Sequence, residues 1–352
     1  MRICFLAHFN GGGTERATFL LANSLREYHH TVFILNTAKT PPTFPLPNIT
    51  MDYLPKGKVF QTILAIRKYI MNNKIDILVA LEALGGICAL PAAKLAGCKI
   101  VIWEHANYFQ TQGSRYAHIM RQLEMLFTDA YVVLTKRDLK NFKTHFRHVR
   151  TKLVQIYNII DLPASRTDHT NSKIIISAGH IRHIKNFAVI PEIAQLVFQN
   201  HPDWIWKIYG SPLDDEYDQL LDNIEKYHMR DNVLLCGRCS VMANAYREAA
   251  LYVMTSLQEG FPMVLLEAKA HGLPLVSFDI ETGPDEIIEN GKNGFLIQPY
   301  DIHEMAEKII YLIESKEARC DFSDNAVHAL AYVSKEMIVP KWLQLFSAIM
   351  KR

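Results

Sequence analysis

Cysteine is scarce in this chain, low-complexity sequence and short-period repeats are missing, and no apolar run is both long and unbroken. Six cysteines in 352 residues (Cys4, Cys88, Cys98, Cys236, Cys239 and Cys320) are too sparse for a disulfide scaffold. Reduced thiols and a cytoplasmic setting are therefore expected. Cys236 and Cys239 have C-x-x-C spacing, yet no second pair stands near to complete a four-ligand site, so no metal is expected. The stretch 77–93 could suggest a membrane span, but Glu82, Gly85-Gly86 and Pro91 interrupt it; it reads as a buried strand, a turn and a short helix. Residues 1–9 form a strand-length run into Gly11-Gly12-Gly13 with no small-residue cleavage site after it, so no secretory leader is expected. What remains is an ordinary globular composition, 49% hydrophobic and 21% charged, long enough for two domains.

Net charge is only +2, but it is unevenly spread. Residues 1–160 carry 20 Lys+Arg against 9 Asp+Glu, and residues 161–352 carry 18 against 27. A basic half joined to an acidic half suggests that one domain meets an anionic surface.

Short β-rich runs alternate with helical patterns through both halves. Strands are expected at 3–9, 31–35, 75–81, 99–103 and 130–134, with helices at 14–26, 61–71, 114–127 and 136–146. After a linker at 158–169, poor in periodic apolar residues, strands are expected at 173–177, 204–209, 233–235, 251–254, 275–278 and 294–297. The helices between and after them fall at 188–199, 217–226, 241–249, 262–271, 301–315 and 335–350. Buried strands alternating with helices predict parallel sheets covered on both faces, with ligand at the strand C-termini. The expected domains are 1–160 and 161–334.

The densest chemistry lies between Glu259 and Glu267. A carboxylate precedes a tight turn, Gly260-Phe261-Pro262, and a helix start, Met263-Val264-Leu265; a second carboxylate follows within the helix. Pro262 suits the first helical position, because its fixed φ fits and its missing N–H is not needed there. Backbone N–H groups over 261–265 then lack helical partners and present a site for an anion, phosphate above all. Glu267 lies about 7 Å along the helix at about 1.5 Å rise per residue. One carboxylate could hold a sugar beyond a diphosphate, the other a ribose on its near side. The competing reading is a capped core helix with one exposed Glu, against which stands the cost of an unpaired carboxylate in so apolar a segment.

The stretch Thr255 to Ala268 resembles the E-x7-E signature of the family-4 retaining glycosyltransferases. The segments Gly272–Asp279, Gly283-Pro284-Asp285-Glu286 and Asn293–Ile297 resemble the motifs that follow in that family, and Gly11–Ala17 its Gly-Gly-x-Glu-Arg turn. Nearly the whole chain is covered, with the motifs in order. The resemblance implies the α/β GT-B fold: two Rossmann-like doubly wound domains facing across a cleft, with a C-terminal helix, about 335–352, crossing back to the N-terminal domain. It implies an acceptor-binding first domain and a donor-binding second one.

The same resemblance implies site residues. In Gly179-His180-Ile181-Arg182-His183-Ile184-Lys185, Lys185 matches the family's diphosphate-binding Lys, while His180 stands where the family has Arg and Arg182 follows two residues on. Guanidinium and ammonium groups suit a diphosphate, and His180 would be a weaker, pH-sensitive donor. Gly210-Ser211 fits the turn beside the nucleotide base. Gly12, Gly13 and Thr14 line the cleft near the transferred sugar, as do Glu104, His105 and Asn107 at the end of a strand, with His105 orienting a hydroxyl or stabilising charge. Glu259, His105 and Lys185 are thus the catalytic candidates; Glu267, Arg182, His180, Gly210, Ser211 and residues 260–265 are the donor-binding ones. The acidic run Asp214–Asp218 reads as a solvated helix start rather than a metal-binding D-x-D.

The expected activity is a retaining, metal-independent transfer of a hexose or N-acetylhexosamine, most simply from a UDP-sugar, to a growing cell-surface glycan such as lipid-linked O-antigen, lipopolysaccharide core or capsule. No cofactor is expected, since the glycine turn is not G-x-G-x-x-G. A nucleotide-sugar epimerase, a transferase acting on teichoic-type polyol phosphate and a non-catalytic donor-binding subunit are the alternatives. Peripheral association with an anionic membrane is expected through the basic run Lys136–Lys152, with Phe142 and Phe146 interleaved and Arg115, Tyr116, Ile119, Met120 and Arg121 adding to it. No nucleic-acid module accompanies that run.

Overall fold

The computed structural model describes residues 1–351 except 10, 39–40, 45–48, 82–84, 112–114, 147–148, 162–170 and 240. Most of the linker expected at 158–169, together with Glu82 and Arg147, lies outside the described residues. The chain divides into two compact units, Met1–Asp161 with Val333–Arg352, and Leu162–Tyr332.

In the first unit the elements are β1 (Arg2–Ala7), α1 (Gly13–Glu27), β2 (Thr31–Asn36), β3 (Thr50–Tyr53), α2 (Val59–Asn72), β4 (Ile77–Leu81), α3 (Leu90–Ala96), β5 (Lys99–Trp103), α4 (Arg115–Phe127), β6 (Ala130–Val133), α5 (Lys136–His145) and β7 (Lys152–Gln155). They build a seven-stranded parallel sheet in the order β3-β2-β1-β4-β5-β6-β7. Strands in mid-sheet are buried on both faces, which is why β4 reads Ile-Leu-Val-Ala-Leu without alternation. A core of Leu6, Leu78, Ala80, Ile100, Ile102 and Tyr131 meets Ile66 and Ile70 of α2, Ala92 of α3, Met125 of α4 and Phe142 of α5.

The second unit contains β8 (Ile174–Ala178), α6 (Ile190–Phe198), β9 (Ile205–Tyr209), α7 (Glu216–Lys226), β10 (Val233–Gly237), α8 (Met242–Glu248), β11 (Leu251–Met254), α9 (Met263–Ala270), β12 (Leu275–Phe278), β13 (Gly294–Ile297), α10 (Ile302–Glu314) and α11 (Lys316–His328). Its six strands are again all parallel, in the order β10-β9-β8-β11-β12-β13. Both sheets therefore have Rossmann-like winding, with the strand order reversing between β1 and β4 in one and between β8 and β11 in the other. Loops leaving the carboxyl ends of such neighbouring strands diverge and leave room for a ligand.

The last helix, α12 (Lys335–Met350), belongs to the first unit, as the resemblance implies, and packs with α1. Its Trp342 is fully buried, edge-on to Trp103 of β5 at 5.1 Å between ring centroids and beside Phe346. The chain enters and leaves this unit side by side, with the Ile160 N–H bonded to the Val333 carbonyl at 3.0 Å. Replacing Trp342 by Ala should leave a large cavity in this core and cost about 3–5 kcal/mol. Urea unfolding checks this, and a loss under about 1 kcal/mol would show that the helix is not an integral part of the core.

Candidate active site

The loops after β8 and β11, the two strands at the reversal point, are tied to each other. The Leu257 N–H donates to the Ile184 carbonyl at 2.8 Å, and the Thr255 hydroxyl to the Lys185 carbonyl at 2.9 Å. These bonds bring Lys185 and Glu259 together: Nζ lies 2.5 Å from the carboxylate, with both side chains more than four-fifths buried. The Lys185 stem runs over Gly179, where an added Cβ would meet it at 3.3 Å.

Beyond Glu259 the chain turns through Gly260 and Phe261 into α9. Pro262 is the residue just before the helix, with extended ψ of 103°, and Met263 takes the first helical position that the sequence assigned to Pro262. The Leu265 N–H is occupied by the Pro262 carbonyl at 3.1 Å, which narrows the helix-start amides without a partner among the described residues to those of Met263 and Val264. The turn is held from behind by Gly283. Its φ is 107°, and a Cβ there would lie 2.5 Å from Pro262 Cδ, so a side chain would push the turn away. The Thr282 hydroxyl also bonds the Glu259 carbonyl at 2.6 Å.

Glu267 is buried on α9 and accepts a hydrogen bond from the Tyr246 hydroxyl at 3.0 Å; Tyr246 in turn stacks on His271. This answers the cost of burying that carboxylate, and no local sequence signal marks Tyr246. Burial, with the charges of Glu259 and Glu267 adding to it, pushes the Tyr252 hydroxyl up, so both carboxylates lie within electrostatic reach of one buried phenol.

Gly210 and Ser211 stand at the end of β9, directly against the β8 loop. A Cβ on Gly210 would lie 1.8 Å from the Gly179 carbonyl oxygen, a separation only glycine permits. The Ile181 N–H donates to the Ser211 carbonyl at 2.9 Å. His180 and Arg182 are both half-buried on this loop, and Arg182 forms no ion pair among the described residues. The acidic run 214–218 lies at the start of α7, as expected, with Asp214, Asp215 and Asp218 exposed, but two of its carboxylates also have local partners. Asp214 accepts the His183 N–H at 3.0 Å; Glu216, fully buried, accepts the Ala188 N–H at 2.8 Å and sits 3.5 Å from the His183 ring. Both carboxylates brace the Lys185 loop.

In the first unit, Gly12 precedes α1 at φ 105°, and Gly12 and Gly13 are exposed. Thr14 lies in the first turn; its carbonyl accepts the Thr18 hydroxyl at 2.8 Å. The turn is fastened by Glu15, a buried residue that the sequence reading left out of the site: its carboxylate accepts the N–H groups of Gly11 at 2.9 Å and Thr43 at 2.5 Å. At the end of β5, Glu104 is buried and engaged with Arg121 at 3.1 Å, the Tyr131 hydroxyl at 2.8 Å and the Ala106 N–H at 3.1 Å, so it serves the core rather than an open surface. Asn107, also buried, accepts the Gln110 N–H at 2.8 Å. His105 differs from these neighbours. Its ring leans on Trp103, and its buried Nε2 has no hydrogen-bond partner among the described residues.

Burial pushes the His105 pKa down to about 3. A base that binds its proton more weakly when folded leaves stability fully present above the unfolded pKa, near 6.5, and erodes it as pH falls toward 3. Between pH 6.5 and 4 the wild type should lose stability more steeply than His105→Gln, the two slopes differing by up to about one proton. Unfolding measured across that range checks this, and parallel slopes would show a ring that protonates freely in the folded state.

Two sequence profiles match this chain: one described as Glycosyl transferases group 1 over residues 160–328, the other as Glycosyltransferase Family 4 over residues 11–163. A glycosyltransferase of Haemophilus influenzae is 27% identical over 344 residues, covering 95% of this chain and 96% of its own. The amylovoran biosynthesis glycosyltransferase AmsD of Erwinia amylovora is 25% identical over 352 residues, covering 95% of each. Among solved structures, Anabaena HepE in complex with UDP and glucose superposes with a TM-score of 0.86 at 19% identity, over 99% of this chain and 100% of that one. With both profiles in sequence order over two Rossmann-like units of the GT-B class, this chain belongs to the family-4 glycosyltransferases.

Proposed function

We propose that the protein transfers a hexose or N-acetylhexosamine from a UDP-sugar to a cell-surface glycan acceptor, with retention at the anomeric carbon and without a metal. The observation that carries this is the meeting of Lys185 and Glu259 beside the start of α9, at the reversal point of the second sheet. A cation and two unpaired amides form a compact receptor for a diphosphate. The coarser reading, a transferase of cell-surface glycan synthesis, is supported by AmsD; UDP as the nucleotide is supported by the HepE complex.

In this scheme the donor phosphate takes the place of Glu259 as counter-ion to Lys185. Glu259, released, accepts hydroxyls of the transferred sugar, and Glu267, steadied by Tyr246, holds the ribose. Lys185 and the Met263 and Val264 amides stabilise the negative charge that grows on the leaving diphosphate. The bond from the anomeric carbon to the phosphate oxygen breaks, and the acceptor oxygen bonds to that carbon on the same face. The acceptor's proton passes to the leaving phosphate. His105, kept neutral by burial and with Nε2 unpaired among the described residues, is suited to a sugar or acceptor hydroxyl, and the Gly12–Thr14 turn belongs to the same unit.

Glu267→Ala should weaken UDP binding, whereas Glu259→Gln should lower turnover by on the order of 10²–10³. Because Glu259→Gln also removes the competitor for Lys185, its UDP affinity should equal or exceed that of the wild type. Calorimetry with UDP alongside steady-state turnover measures the split; full activity and normal affinity in both variants would defeat the site assignment. Transfer should also continue in excess chelator, and NMR of the product should show the donor's α configuration. Activity that depends on added Mg²⁺ or Mn²⁺, or a β linkage, would contradict the scheme.

A further inference from the structure

Helix α2 is two-sided in an unusual way. One side meets the core through Ile66 and Ile70, with Ile63 and Tyr69 packed alongside. The other side leaves large apolar groups in water: Phe60 is 69% exposed, Met71 52% and Leu64 44%. At 3.6 residues per turn, Phe60, Leu64, Arg67, Lys68 and Met71 fall within an arc of about 100°. Neighbouring α3 extends this face, since Arg67 Nε donates to the Leu95 carbonyl at 3.2 Å and the Leu95 side chain is itself exposed. An exposed apolar stripe gives the folded chain nothing in water and marks a surface that meets something else.

Charge identifies the partner. Residues 53–75 include Lys56, Lys58, Arg67, Lys68 and Lys74 and no Asp or Glu. The four lysines are exposed, and none has a carboxylate partner among the described residues. Apolar anchors ringed by unpaired cations complement an anionic lipid surface, where acyl chains lie beneath phosphates. In the basic run 136–152 the exposed cations lack the phenylalanine anchors expected among them. Phe142 and Phe146 are buried in the core, and Arg121 is committed to Glu104. On α4, Tyr116 and Ile119 are exposed, with Arg115 the exposed cation of that helix.

We propose that the outer face of α2, with Leu95, docks the protein on an anionic bilayer surface. Phe60, Leu64 and Met71 enter the acyl boundary while Lys56, Lys58, Lys68 and Lys74 meet the headgroup phosphates. The surface uses no residue of the proposed transfer site and stands or falls separately from it.

The test is flotation of the full chain with vesicles of pure phosphatidylcholine, or of phosphatidylcholine with one third phosphatidylglycerol, at low and high salt. Binding should rise with the anionic lipid and fall with salt. Phe60→Ser with Leu64→Ser should lower partitioning by about ten-fold or more. Joint replacement of Lys56, Lys58, Lys68 and Lys74 by Gln should abolish the preference for phosphatidylglycerol, and Lys140→Gln with Lys143→Gln should change nothing. Thermal melting and UDP binding of each variant confirm that it is folded, and blue-shifted fluorescence of Phe60→Trp on vesicles reports insertion directly. The proposal is overturned by a wild type that does not float, by unchanged partitioning of the Phe60/Leu64 variant, or by a loss confined to the Lys140/Lys143 variant. It is equally overturned if ultracentrifugation shows a dimer that the Phe60/Leu64 variant dissociates and vesicles are not bound, since the face then meets a second copy.

Discussion

Two hydrogen bonds across the β8–β11 pair, Leu257 to Ile184 and Thr255 to Lys185, govern the chemistry available to the second unit. Each loop alone would be a surface segment carrying one charge. Joined, they hold an ammonium and a carboxylate in contact before any substrate arrives, so little ordering is left for the moment of binding. The remaining features of the site serve that junction. Asp214 and Glu216 brace one loop, Gly283 and Thr282 support the other, and Gly210 lets β9 approach the Gly179 carbonyl.

The first unit concentrates its polar chemistry inside. Arg121 satisfies Glu104 and the carbonyls of Tyr108 and Asn107, while Tyr131 completes the Glu104 shell. Glu124 and Asp138 lie in the same environment, and burial pushes their carboxyl groups up, to about 8 and about 7. Near neutrality, protonation of these groups relieves the like-charge repulsion that several buried carboxylates would otherwise create. One guanidinium can then serve the cluster.

Much of this was readable from sequence because parallel strands buried on both faces leave uninterrupted apolar runs; β5, β11, β12 and β13 fall on the residues where the pattern puts them. The elements that escaped have weak patterns for physical reasons. β3 and β7 are four-residue strands at the sheet edges and are not fully buried, and α11, Lys-Glu-Ala-Arg-Cys-Asp-Phe at its start, lacks a clean apolar stripe. Glu259 and Glu267 were visible as carboxylates framing a turn and helix start, and Lys185 through the family resemblance. Tyr246 and Glu216 were not, because their importance comes from partners 21 and 28 residues away. Glu104 and Phe142 show the opposite failure: local pattern put them at a surface, and distant partners draw them inside.

The return of α12 to the first unit has a consequence for how the chain is made. Trp342, which covers Trp103, is separated from it by the whole of Leu162–Tyr332. A ribosome adding roughly 5–20 residues per second leaves that indole face uncovered for on the order of ten seconds or more. The second unit, by contrast, is one continuous stretch and can close as soon as it emerges. The part synthesised first is thus completed last, and during that interval its exposed aromatic surface is the place where a chaperone, or a misfolded contact, would act.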